Sequence, residues 1–306
     1  MKFALWQGKM NSILITVLAT VIITFPMQAQ QARISASADE LVRKTVQNEL
    51  NASEGHAKFM FRDQKKTTQG SETKLIVETE DSIAGMLIEE NGHPLTREQR
   101  QAEDARLESY IKNPAELNKK RQKEKDEAEH TKKIVAAMPD AFLYENEGTV
   151  PGTQSLGKPG DILIRLKFRP NPNYSPPSHV EQILTGMAGY LLIDTNECRI
   201  AKIDGTLIKD VGFGWGILGH LDPGGHFLVE QADVGGGHWE ATRMDLAFDG
   251  KIMLFKKLHI NSSQIFSDFR PAPSNLNFEQ GVALLKKQES ELAQNQRQVA
   301  ENRKQK

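Results

Sequence analysis

Between Ile162 and Arg169 the chain alternates strictly: Ile162, Ile164, Leu166 and Phe168 share one parity, while Leu163, Arg165, Lys167 and Arg169 share the other. A period of two is that of a strand with one face inward. Runs of strand composition follow at 187–194, 199–204, 206–218, 226–232, 238–248 and 251–260, and the gaps between them hold Asp, Asn or Gly. Those residues favour tight turns, so the series predicts an antiparallel meander of consecutive hairpins. Upstream, 58–62, 73–79 and 83–88 also read as strands, the first two separated by a polar turn at Gln69-Gly70.

Helical periodicity appears in three places. Leu41, Val42, Val46 and Leu50 fall on one stripe, with Ser37 or Asp39 as the expected cap. From Pro94 to Pro139 the chain is dense in Glu, Lys, Arg and Gln, which predicts a long charged helical insertion over about 94–140. Thr96 and Gln99 have the spacing of a capping box, and Asn113-Pro114 is expected to interrupt the helix. The apolar stretch 134–144 is suited to docking the insertion on the core, and 148–160 reads as a loop. Residues 178–186 fit a short helix or a rising strand, and 276–306, with few apolar positions, reads as a frayed polar helix or a disordered tail.

The first 29 residues stand apart. Lys2 and Lys9 precede an uncharged apolar run from Ile13 to Phe25, followed by the small, polar stretch from Pro26 to Gln30. This is the layout of a secretory signal peptide with cleavage near Ala29, and the run falls short of the roughly 20 residues that a spanning helix needs. The expectation is a protein exported to the periplasm, with no transmembrane anchor in the mature chain and one domain over 30–275. A single cysteine, Cys198, excludes an internal disulfide, and its surroundings offer nothing to activate the thiol. A formal charge of −1 argues against nucleic acid as a partner, and the charge run 119–130 nearly cancels and lacks aromatics.

Candidate chemistry is sparse. Gly224, Gly225, Gly235, Gly236, Gly237 and Gly250 lie where turns are expected, and no strand, glycine loop and helix succession suggests a phosphate cradle. His220, His226 and His238 with Asp222 or Asp233 supply zinc-type ligands, but at spacings that match no recurrent pattern; no metal and no cofactor is expected. Hydrolase motifs are missing, which favours a non-enzymatic protein; a hydrolase using His226 or His238 would instead need a cleft with a histidine beside a carboxylate.

In 206–218, Leu207, Val211, Phe213, Trp215 and Ile217 share a bulky face opposite a face rich in glycine, which suits a strand that curves. Ile193-Asp194, the Ile-x-x-Ile-Asp-Gly run at 200–205, Phe227-x-Val229-x-Gln231 and Trp239-x-Ala241 with Arg243 after it together resemble the outer-membrane lipoprotein carrier superfamily over about 160–270. The resemblance implies an α+β fold in which a curved antiparallel sheet, an unclosed half-barrel, packs on helices. It implies an apolar cavity for a lipid or an acylated protein, lined by Leu207, Val211, Phe213, Trp215, Phe227, Val229 and Trp239. Arg62 is the one counterpart for a lid-contacting arginine. A regulatory or scaffold module binding an envelope protein through the same sheet and its helices is the alternative.

Overall fold

The computed structural model describes residues 27–53, 57–213, 219–252 and 256–304. The apolar run from Ile13 to Phe25, Trp215 and Ile217 therefore lie outside the described residues, whereas α1 begins at Met27, before the expected cut near Ala29. In chain order the elements are α1 (Met27–Ala52), β1 (Phe59–Thr67), β2 (Gly70–Glu78), β3 (Ile83–Glu90), β4 (His93–Pro94), α2 (Arg97–Lys112) and α3 (Pro114–Ala141). They continue as β5 (Phe142–Pro151), β6 (Ile162–Pro170), a 3₁₀ turn (Glu181–Gly186), β7 (Met187–Asp194), β8 (Arg199–Leu207), β9 (Val211–Phe213) and β10 (Gly219–Leu221). Last come β11 (His226–Asp233), β12 (Trp239–Ile252), β13 (Lys256–Pro271) and α4 (Phe278–Lys304).

The strands form one 13-stranded antiparallel sheet in the order β4-β3-β2-β1-β13-β12-β11-β8-β7-β6-β5, with the β9–β10 hairpin attached to β12. The fold is α+β and the sheet does not close. The expected meander holds for β6 to β8 and for β11 to β13, and β5, which was not expected, adds an antiparallel strand beside β6. The meander fails between β8 and β11, because the run 206–218 is not one strand: β8 ends at Leu207 and the chain turns before β9, so that β11 pairs with β8 directly. It also misses the pairing of β1 with β13, which joins the two ends of the chain.

Local signals around the insertion are realised as expected. Thr96 accepts from the Gln99 amide and the Gln99 side chain returns to the Thr96 amide, so two otherwise orphaned donors are satisfied. Asn113 ends α2 and caps α3 through the Ala115 and Glu116 amides, with Pro114 at the first position, where a missing N–H costs nothing. By contrast α1 runs through Ser37 and Asp39 without a cap, since the stripe of Val42 and Val46 continues back to buried Ala38. Residues 148–151 extend β5 rather than forming a loop. Gly224 and Gly235 to Gly237 take positive φ in turns, whereas Gly250 lies inside β12, where a Cβ would meet the His220 carbonyl oxygen at 2.2 Å.

The sheet carries two cores on opposite faces. On the inner face, Leu166, Phe168, Leu191, Ile193 and Leu207 pack against Val42 and Val46 of α1 and Met138 of α3. Following the register across the sheet, the inner-face position Leu246 of β12 stands opposite Ser262, two residues before Gln264, which stands opposite Lys65; that parity continues through Asp63 to Lys74 and Leu87. Leu75, Val77, Ala84 and Met86, of the other parity, form the second core with Leu107 of α2 and Phe278, Val282 and Leu285 of α4 on the outer face. The C-terminal stretch is thus a docked helix and not a frayed tail, because three of its few apolar residues recur at the 3.6-residue period and are buried. A smaller cluster of Leu163, Leu192, Ala201 and Trp239 on the outer face lies against Leu156 of the 152–161 segment, which is held down by Gly157 bonds to Gln231 and Asp233.

Candidate functional site

Helix α3 spans 28 residues, about 42 Å at the usual rise. It is anchored at both ends on opposite margins of the sheet. Near its start, Lys120 Nζ donates to the Ile83 carbonyl at 2.7 Å and Glu124 accepts from the Ser82 hydroxyl at 2.8 Å, both beside β3. Near its end, the Tyr144 hydroxyl of β5 donates to the Met138 carbonyl at 2.8 Å and Arg43 of α1 pairs with Asp140. Lys120 and Met138 are separated by about 27 Å of helix, whereas the ten strands from β3 to β5 measure about 43 Å when laid flat. The sheet must curve to bring both margins onto one helix.

All nine residues from Lys125 to Lys133 are exposed. A helix resting on a sheet buries a side chain every three or four positions. The middle of α3 therefore buries no side chain on the sheet. Phe61 of β1 and Phe266 and Phe269 of β13 are half-buried, with Phe61 stacked on Phe269 at 5.2 Å between centroids and edge-on to Phe266 at 6.0 Å. Asp63 sits among them; burial pushes its carboxyl upward despite an amide bond from Gln264 and the nearby Lys74 and Lys65. At the β3 margin a cleft of about 470 Å³ lies among Lys74, Ile76, Leu87, Arg106 and Lys120 and reaches Leu107 and Phe278 of the second core.

Below the short pairing with β4, that margin of β3 is closed by side chains. Glu103 accepts from the Leu87 amide at 2.7 Å, Arg106 donates to the Gly85 carbonyl at 2.8 Å, and Lys120 takes the Ile83 carbonyl. Unpaired ladder groups that would invite another chain are satisfied by α2 and α3.

The residues expected to line a cavity are dispersed. Leu207 and Val211 are 0% and 3% exposed within the α1 core, and Phe227 packs on it. Val229 is half-buried on the same face, opposite Met244. Phe213 ends β9, opposite Gly219. Trp239 belongs to the outer cluster, with the Arg199 guanidinium 5.7 Å from its ring. So the stripe of α1 already fills the space that the β8–β11 side chains would have enclosed. Arg62 stands opposite Leu75, on the α4 face, and pairs with Asp268 at 3.4 Å. The arginine at the β3 margin is Arg106 of α2, which reaches from the helix to the Gly85 carbonyl. Phe61 lies in a run read as a strand, but Phe266 and Phe269 lie beyond the last expected strand, in a stretch with no apolar alternation to mark it.

The histidines do not converge. His220 Nε2 is 3.2 Å from Asp222, His226 Nε2 is 3.0 Å from Asp204, and His238 is edge-on to Phe59. Burial raises the Asp204 carboxyl, but bonds from His226 and the Tyr190 hydroxyl, with Lys202 alongside, more than offset this and hold it low. Lys202 also pairs with Glu230. His226 therefore lies in an ion-pair ladder on the outer face. Neither a protein-family model nor a curated protein matches the chain. Among the described residues, no helix is long and apolar enough to cross a membrane.

Proposed function

We propose that the protein is exported and shields the apolar part of a lipid or an acylated protein in the groove beneath α3. The observation that supports this reading is the half-buried aromatic cluster of Phe61, Phe266 and Phe269 on β1 and β13, with residues 125–133 of α3 exposed between that helix's two anchored ends. Each methylene moved from water onto that floor contributes about 0.8 kcal/mol, so even part of an acyl chain suffices for binding. The resemblance of the 160–270 segment to lipoprotein carriers agrees with this use, though the groove lies on β1, β13 and their neighbours instead of on β8 to β11. Removal of the leader near Ala29 would leave the α1 stripe of Ala38, Val42 and Val46 in place, because all three lie beyond the cut.

Native mass spectrometry of protein purified gently from a periplasmic extract, followed by organic extraction, tests the proposal. A near-stoichiometric lipid or acyl peptide, lost in Phe266→Asp while the far-ultraviolet dichroism is unchanged, is the expected result. A ligand-free mass, or a ligand retained in Phe266→Asp, overturns it. A protein retained in place of a lipid would favour the scaffold reading, for which the exposed charges at 125–133 are the natural contact.

A further inference from the structure

The β9–β10 hairpin packs Val211 and Leu221 into the inner core and turns the alternate residues outward. Those outward residues are Asp210, Gly212, His220 and Asp222. One ligand atom each from Asp210, His220 and Asp222 lies within 4.8 Å of the other two. We propose that these three side chains bind a divalent transition-metal ion, with Zn²⁺ the best match to one imidazole and two carboxylates.

The register supports this assignment. His220 stands opposite Gly212, which has no side chain to block the imidazole. One step beyond the ladder, Asp210 falls across from Asp222, and the Asp222 amide donates to the Asp249 carbonyl of β12 at 2.9 Å. Asp249 in turn stands opposite His259 of β13, whose Nδ1 is 2.6 Å from its carboxylate. Three aspartates thus occupy neighbouring positions in one cross-strand row, an arrangement that like-charge repulsion disfavours and a dication relieves. Lys251 and Lys257 occupy the next row, opposite His220 and each other, and supply only part of the neutralisation. The His220–Asp222 separation of 3.2 Å is close to the edge of a tetrahedron with bonds of about 2.0 Å, which is the usual zinc geometry with water in the fourth position. The groove under α3 is on the opposite face, so this site is independent of the shielding function.

Isothermal titration of the metal-free full chain with zinc chloride is the test, with cobalt absorption as a second readout of nitrogen and oxygen ligation. One ion per chain is expected, weakened at least tenfold in His220→Ala and in Asp222→Asn, and unchanged in His226→Ala. Asp210→Asn, at an exposed position outside the hairpin ladder, serves as a third variant that leaves folding undisturbed. Absence of binding, or an affinity unchanged from the parent in both His220→Ala and Asp210→Asn, overturns the proposal.

Discussion

The two ends of the sheet solve the same problem on opposite faces. From β5 to β8 the inner face is covered by α1, and much of the outer face is a ladder of ion pairs around Asp204. From β1 to β3 the outer face is covered by α4 and α2, and the inner face carries the aromatic floor of the groove. A strand's apolar parity therefore does not define a common inside for this protein. The crossover is workable because β12 and β13 are long, at 14 and 16 residues, and polar on both faces where the cores change sides, as at Asp245, Ser263 and Gln264. The consequence is a sheet whose two ends bury opposite faces.

The comparison is broken most sharply by deleting one core and asking whether the other persists. Leu285→Ala in α4 removes a fully buried side chain and is expected to cost about 2–5 kcal/mol in chemical denaturation. Hydrogen exchange should then accelerate in β2 and β3 while α1 and β7 keep their protection. Uniform loss across the molecule would mean that the two cores fold as one unit.

A smaller effect distinguishes two ion pairs that hold α1. Arg199 binds Glu49 through two bonds of 3.0 Å, and the same carboxylate accepts from the Ile200 amide at 2.7 Å, with both side chains largely buried. Glu49→Ala orphans a guanidinium and an amide and should cost about 2–3 kcal/mol. Arg43 and Asp140 are 59% and 64% exposed, and Arg43→Ala should change stability by less than about 0.5 kcal/mol. Equal effects would show that α1 is held by its apolar stripe alone.

The smallest effect lies in the groove. Because burial raises the folded-state pKa of Asp63, its ionised form opposes folding above that pKa, and the penalty vanishes below the unfolded value of about 3.9. Asp63→Asn should therefore melt slightly higher at pH 7 and like the parent near pH 3. A lower melting temperature at pH 7 would mean that the bonds to Gln264 and the attraction of Lys74 outweigh burial.

Much of the architecture was legible along the chain, and the illegible parts have a common cause. Capping and turn chemistry are local, so the Thr96 box, the Asn113-Pro114 junction and the turn at Gly235 to Gly237 follow from a few adjacent residues. Alternation at 162–169 likewise marked Leu166 and Phe168 as core, although Ile162, of the same parity, is 59% exposed where β6 begins. What alternation does not carry is a sign. Leu207 and Trp239 both read as one apolar wall, yet one meets α1 and the other the 152–161 segment on the reverse side. The α4 stripe seemed too thin for docking because its partners, Val77 and Ala84, lie some two hundred residues away.

Local sequence thus determined most of the strands, though not β5 or the second half of β13, where the helices begin within the charged insertion, and that the sheet is antiparallel, since backbone torsions and turn residues act over a few positions. Tertiary structure alone decided which face of each strand is inside, that β1 joins β13, that α3 spans the sheet from margin to margin, and that Asp210, His220 and Asp222 meet. Those outcomes depend on burying apolar area contributed by distant segments, and a helix or strand has no knowledge of its partner until the chain has closed on it.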